Sequence, residues 1–380
     1  MKVQDLVDVM DRIAPVRYAA EWDKVGLLTG ARGRELRGPV VLTIDLTESV
    51  LEDAIARRAG AIIAYHPPIW DPLRRITTDT PRQRIVLGAV EAGMAIYSPH
   101  TALDAVPGGV ADWLAEGLSG SPTPAKIQGD CRALTPMGDH KVTQEVKVVT
   151  FVPREKADAV RNALASAGAG LIGNYQLCSF AAPGQGTFLG GEGTCPSVGR
   201  AGEIEQVDEL RLEMVCSRAA LPLALETMRR FHPYEEPAID VYPLEDQPQR
   251  NIGPGRRLVL DRPTTVGELA ARLKSFVGAE SVRMALVGDD TPVTHVGICP
   301  GSGASLAPIA GREACQVYVT GEMNHHDVLA TLHAGMSVIL GGHTNTERGF
   351  LPRLRGMIRQ QLPALEVIVS GVDRDPLVTL

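Results

Sequence analysis

Apolar positions along the chain fall into two rhythms. Val3, Leu6, Val9, Met10 and Ile13 recur at helical spacing, and Pro15 ends that helix. The run from Val40 to Leu46, which holds Asp45, predicts a strand; 48–59 is again helical in spacing and is closed by Gly60. Ala61 to Ala64 reads as a buried strand that runs into Tyr65-His66-Pro67-Pro68. A helix over 82–92, closed by Gly93, leads to a third strand over 94–97 and then to Ser98-Pro99-His100-Thr101-Ala102-Leu103-Asp104. Gly108-Gly109 opens a helix through Trp113 and Leu118. Strands alternating with helices at this spacing predict a mostly parallel sheet with helices on its faces.

The rhythm changes after a Ser-, Pro-, Gly- and Asp-rich connection over 119–143. A strand over 146–152, a helix over 153–167, extended pieces around 172–180 and 186–189, a strand over 211–216, a helix over 221–231 and a strand over 238–243 follow. That order is strand-helix-strand-strand-helix-strand, the ferredoxin-like pattern. The first rhythm then resumes: a helix over 266–277, strands over 294–299, 317–319 and 336–340, a helix over 355–362 and a closing strand over 365–369. The expected architecture is one α/β domain built from 1–144 and 247–380, with a ferredoxin-like α+β domain, 145–246, inserted between its halves.

Composition narrows the functional classes. The chain has 380 residues, 44% hydrophobic, 22% charged and only 4% aromatic, which suits helix–sheet packing through small residues. A net charge of −7 makes a dedicated nucleic-acid surface an unlikely design, and no nucleic-acid partner is expected. The six cysteines include no Cys-x-x-Cys pair and read as reduced core residues of a cytoplasmic protein. No apolar run reaches transmembrane length, so no membrane role is expected. Trp22 is expected to be a packing residue.

The chemistry gathers at strand ends, where ligands collect in open α/β sheets. Four strand-like runs lead to His66, His100, His325-His326 and His343, five of the nine histidines in the chain. Asp104 and Glu347 follow His100 and His343 at four-residue spacing, which places each pair on one helix face. Imidazoles with carboxylates and no thiolates suit zinc, iron or manganese. A carboxylate such as Glu347 can bridge two ions about 3.5–4 Å apart. Gly301-Ser302-Gly303, ahead of a helix, offers backbone amides to a phosphate, though a tight turn explains it about as well. His232-Pro233-Tyr234-Glu235-Glu236-Pro237 reads as a turn with solvated carboxylates.

Six motifs in order resemble the NIF-three-like family of dinuclear metal centre proteins, whose members are named as homologues of a type 2 GTP cyclohydrolase I. They are Glu21-Trp22-Asp23-Lys24-Val25-Gly26-Leu27, Tyr65-His66-Pro67-Pro68-Ile69-Trp70, His100-Thr101-Ala102-Leu103-Asp104, Val319-Thr320-Gly321-Glu322, His325-His326-Asp327 and Gly342-His343-Thr344-Asn345-Thr346-Glu347-Arg348-Gly349-Phe350. The middle segment is similar to the PII/CutA-like insertion of longer members. The resemblance implies two divalent metal ions: His66 and Asp104 as ligands of one, His343 of the other, and Glu347 bridging them. Tyr65 stands where many members have a histidine, which leaves the second site to Tyr65 as phenolate, His326 or water. His100 and His326 then suit proton transfer or the orientation of a ligand. The resemblance further implies a toroidal homohexamer and a metal-dependent hydrolase that opens the guanine ring of a nucleotide. A phosphoesterase, or a non-catalytic metal-binding scaffold whose inserted domain meets a protein partner or small effector, would fit the same residues.

Overall fold

The computed structural model describes residues 1–139 and 142–378. The chain divides into two compact units, one of Met1–Met137 with Gln249–Leu380 and one of Gly138–Pro248.

The larger unit holds two sheets. The first runs, edge to edge, Gly26–Thr29, Ala95–Ser98, Ala61–Ala64, Val40–Thr43 and Val367–Val369. All its pairings are parallel except the edge pair of Gly26–Thr29 with Ala95–Ser98. The second runs Arg283–Ala285, Ser337–Leu340, Val317–Glu322, Val293–Ser302, Arg256–Thr264 and Asp130–Ala133. Only its three central strands are parallel to one another, so the expectation of mostly parallel sheets is corrected here to a mixed sheet. The physical reason lies at the insertion. The last strand before the chain leaves this unit, Asp130–Ala133, pairs antiparallel with the first strand after it returns, Arg256–Thr264, with Ala133 opposite Arg256. The stretch that reads as a plain connection in the sequence therefore contains the edge strand Asp130–Ala133.

Strand alternation sorts side chains onto two faces. Val40, Leu42, Ile63, Tyr97, Val317, Val319 and Ile339 turn into one core shared by both sheets. The apolar stripes of four helices, Val3–Ile13, Val110–Ser119, Val266–Val277 and Leu351–Gln361, fill that core. Val41, Ile62 and Ile96 point the other way, against Val50, Leu51, Ala54, Ile85 and Ala89 of helices Glu48–Ala56 and Pro81–Glu91. The parallel strands of the first sheet are thus covered on both faces, which explains why they read as continuous apolar runs.

One charged side chain is wholly enclosed. Arg256 is 0% exposed and pairs through Nε with Asp112. Its Nη1 donates to the carbonyls of Gly253 (2.7 Å) and Gly255 (2.8 Å), and Nη2 donates to that of Val106 (3.0 Å). The guanidinium fork ties the first chain half to the segment where the chain returns from the smaller unit.

The smaller unit is an antiparallel sheet in the order Ile239–Pro243, Val146–Pro153, Ile204–Cys216, Phe180–Leu189. Helices Ala157–Ser166 and Leu221–Phe231 pack Val160, Leu164, Ala224 and Met228 on Val148, Leu212 and Met214. Order and connection are those of the ferredoxin-like pattern. Of the extended pieces expected around 172–180 and 186–189, the first is a turn up to Phe180, and the edge strand is Phe180–Leu189, whose Pro183 is tolerated because an edge strand leaves one row of amides unpaired. All six cysteines are unpaired, and no described helix is long and apolar enough to cross a membrane.

Candidate metal centre

The carboxyl ends of the parallel strands of both sheets meet at one place in the larger unit. Ala61–Ala64 delivers Tyr65 and His66, Ala95–Ser98 delivers the short helix His100–Ala105, Val317–Glu322 ends in Glu322, and Ser337–Leu340 delivers His343. Gly341 and Gly342 end that last strand, and Gly342 takes φ +89, a left-handed conformation that side chains disfavour. The chain then enters the one-turn helix Asn345–Arg348, which places Glu347 one turn beyond His343.

His66, His343 and Glu347 offer ligand atoms that all lie within 4.8 Å of one another. Glu347 is 3% exposed, and its two oxygens face different rings: Oε2 lies 3.3 Å from His66 Nε2, and Oε1 lies 3.7 Å from His343 Nε2. His66 Nε2 and Glu347 Oε2 are buried and neither has a hydrogen-bond partner. Buried polar atoms left in this way are costly unless something else engages them. A divalent cation fits: two imidazole nitrogens and a carboxylate are borderline-to-hard donors. Cys299 lies near, and burial, aided by the charge of Asp104, pushes its thiol up to about 12.

Each imidazole is oriented from behind. His66 Nδ1 donates to Asp45 Oδ1, His343 Nδ1 to Glu322 Oε1 and His100 Nδ1 to Asp23 Oδ2, each at 2.9 Å. A carboxylate at one ring nitrogen fixes the tautomer and leaves the other nitrogen as the donor to a metal. Burial works against the charged form of His66, but the Asp45 hydrogen bond and the proximity of Glu347 outweigh it and raise the group to about 10. Asp45, Glu322 and Asp23 were not recognised as site residues in the sequence. Their signal was present, since Asp45 and Glu322 are polar residues at the carboxyl ends of apolar strands.

Asp104 is not among the three converging residues. Its Oδ1 accepts a 2.5 Å hydrogen bond from the Tyr65 hydroxyl, and burial pushes the carboxyl up to about 7 despite that bond. Burial, then the charges of Asp104 and Glu347, hold the Tyr65 hydroxyl well above the usual phenol range, and it is the donor to Asp104. His100 closes the group on this side, its ring centroid 5.6 Å from Tyr65 and 5.4 Å from His66. Its φ of +33 is a strained value for a non-glycine residue, held by the Asp23 carboxylate, which also accepts from the Thr101 amide and hydroxyl. His326 lies apart from the three converging residues, exposed at the start of helix His325–His333 and against His325.

The Gly301-Ser302-Gly303 loop lies against the same group, with a different job from phosphate binding. The amide of Gly301 donates to Thr346 Oγ1 (2.9 Å) and that of Gly303 to Thr320 Oγ1 (3.0 Å), so both are engaged within the chain. Gly301 has φ +60, and a Cβ there would stand 2.4 Å from Glu347 Oε1 and 3.3 Å from His343 Nε2. The glycine makes room for the carboxylate. Gly301→Ala is therefore expected to displace Glu347 and to lower the metal content of purified protein several-fold, measured by elemental analysis, while the far-ultraviolet spectrum stays unchanged.

An α/β unit that turns carboxylate-steered imidazoles toward a buried glutamate from two sheets carries a His/Glu group that could hold a metal ion. The sequence model of Duf34/NIF3 (NGG1p interacting factor 3) matches residues 1–376, and the chain belongs to that family. It is 35% identical to the Bacillus subtilis "GTP cyclohydrolase 1 type 2 homolog" over 99% of this chain and 98% of that protein. It is 34% identical to human "NIF3-like protein 1", over 99% of this chain and 92% of that one. A solved Bacillus cereus protein related to NIF3 superposes with a TM-score of 0.68 at 32% identity, covering 100% of this chain and 99% of its own.

Proposed function

We propose that the protein is a metal-dependent hydrolase with a dinuclear centre, in which Glu347 bridges two divalent ions held by His66 and Asp104 on one side and His343 on the other. The observation that carries this reading is the splayed pair of Glu347 oxygens, each directed at a different imidazole. Zinc, iron or manganese held there would supply Lewis acidity for hydrolysis. The chain's own residues do the rest. Asp45 and Glu322 aim the two imidazoles, and Tyr65 holds Asp104 by its hydroxyl. His100, with Asp23 behind it, is placed to take and return a proton at Nε2. The names of the relatives make the guanine ring of a nucleotide the first substrate to test. The reading has six chains closing a toroid, with the inserted unit, PII/CutA-like, meeting an effector or partner.

The test is product analysis by chromatography of the metal-loaded full chain incubated with GTP and, separately, with phosphodiesters. Turnover of GTP to a ring-opened product by the wild type, and its loss in His100→Asn at unchanged metal content, is the expected result. A phosphodiester product instead would shift the substrate to phosphoryl compounds. If every compound is recovered intact from fully loaded protein, the chain is a metal-binding scaffold and not an enzyme.

A further inference from the structure

Two of the three tryptophans lie outside the core, beside the metal centre. Trp113 is 6% exposed, whereas Trp22 is 61% and Trp70 is 52% exposed, so Trp22 is not the packing residue its sequence context suggests. The two exposed indoles come from separate segments, the turn at Glu21-Trp22 and the loop that follows His66-Pro67-Pro68. They nevertheless meet, with centroids 5.5 Å apart and planes inclined by 46°. His100 touches both, at 6.0 Å from Trp22 and 5.7 Å from Trp70. From His100 the line of ring contacts continues at 5.4 Å to His66 and at 5.2 Å from His66 to His343. Aromatic surface thus runs from solvent to the metal-binding imidazoles in steps no longer than one ring.

We propose that Trp22 and Trp70 form a stacking platform for a planar heteroaromatic ring, of the nucleobase kind, in the substrate of the adjoining centre. Exposed indole faces gain most from a flat π-system, and stacking on aromatic side chains tolerates different bases. Because the two planes are inclined by 46°, a flat ring would lie on one indole and pack edge-on against the other, beside His100, which the buried Asp23 holds in place. Asp23 and Trp22 are neighbours in sequence, so the same turn that orients the proton-transfer histidine also presents one wall of the platform. The inference rests on the metal-centre reading for its geometry, but the binding it predicts is measured separately from metal and turnover.

The experiment is calorimetric titration of the zinc-loaded full chain with guanosine 5′-monophosphate, and with ribose 5-phosphate as the probe lacking an aromatic base. Wild type is expected to bind the nucleotide more tightly than the sugar phosphate. Trp22→Ala and Trp70→Ala should each weaken the nucleotide about tenfold without changing zinc content or affinity for the sugar phosphate. Trp70→Phe, which keeps a smaller ring face, should recover part of the loss. Trp70-dependent nucleotide binding that survives in Glu347→Gln, where metal is lost, supports the platform even if hydrolysis fails. Equal affinity for the two probes, or unchanged nucleotide affinity in both alanine variants, overturns it. So does a change in assembly mass in those variants with no change in nucleotide affinity, which would assign the indoles to contact between copies of the chain.

Discussion

Glu347→Gln is expected to empty the metal centre while leaving the fold in place. Glutamine keeps the size of the side chain and the one-turn offset from His343. What it loses is the second anionic oxygen: its amide nitrogen is a donor with no lone pair for a cation, and it can instead hydrogen-bond the imidazole nitrogen that a cation would occupy. In the wild type the two oxygens lie 3.3 Å and 3.7 Å from the two imidazoles, so a single atom change removes one side of the centre and the negative charge of both. Loss of a partner behind a ligand costs roughly 10–100-fold in metal affinity, and loss of a shared ligand should cost more than about 100-fold. Elemental analysis after dialysis against metal-free buffer, paired with circular dichroism, is the check. Protein that keeps its full metal complement would show that Glu347 is not a ligand. Removal of metal from the wild type by a chelator should reproduce the loss of metal-dependent activity and leave the two units folded, since both cores are built mainly of apolar residues away from the His/Glu group.

Arg256→Ala is expected to be the most destabilising single change away from the centre. The wild-type guanidinium engages Asp112 and the carbonyls of Val106, Gly253 and Gly255, all without access to water on the arginine side. Truncation leaves an inward carboxylate and several carbonyls without donors, and breaking a buried pair in this way costs about 3–5 kcal/mol. For a unit of this size that corresponds to a fall of roughly 10 °C in the unfolding midpoint. Differential scanning calorimetry will read it, and Arg256→Lys should recover less than half, because one ammonium cannot supply the fork. A midpoint within about 2 °C of wild type would mean the network contributes little, the outcome expected only of solvent-screened pairs.

The resemblance in the sequence and the geometry agree best where chemistry and chain direction coincide. His66 and His343 are legible because each follows an apolar run that is buried on both faces, and such runs end where a parallel sheet exposes its carboxyl edge. Glu347 is legible through its spacing from His343. Asp45 and Glu322 were visible as strand-end carboxylates, but nothing in one dimension says which histidine each one backs. Their pairings join positions 21 residues apart, across neighbouring elements. The smaller unit was readable as a pattern, because its strands and helices alternate with clear turn signals. Its long hairpin was not, because Gly-rich edge residues carry a weak period-two signal.

By itself the sequence determined not the antiparallel strands at the margins of the larger unit's sheets but the main helices and the parallel strands, the split of the larger unit into two chain halves, and the supply of imidazoles and carboxylates at strand ends. These follow from local periodicity and from the fixed geometry of α/β connections. Only the tertiary structure decided that the second sheet is mixed, because the strands that leave for and return from the smaller unit pair with each other. It also decided that Tyr65 is a hydrogen-bond donor to Asp104, that Gly301 is glycine to admit a carboxylate, and that Trp22 and Trp70 meet beside His100. Each of these is a contact between residues distant in the chain, set by how two sheets close on one core, and no local pattern encodes such a distance.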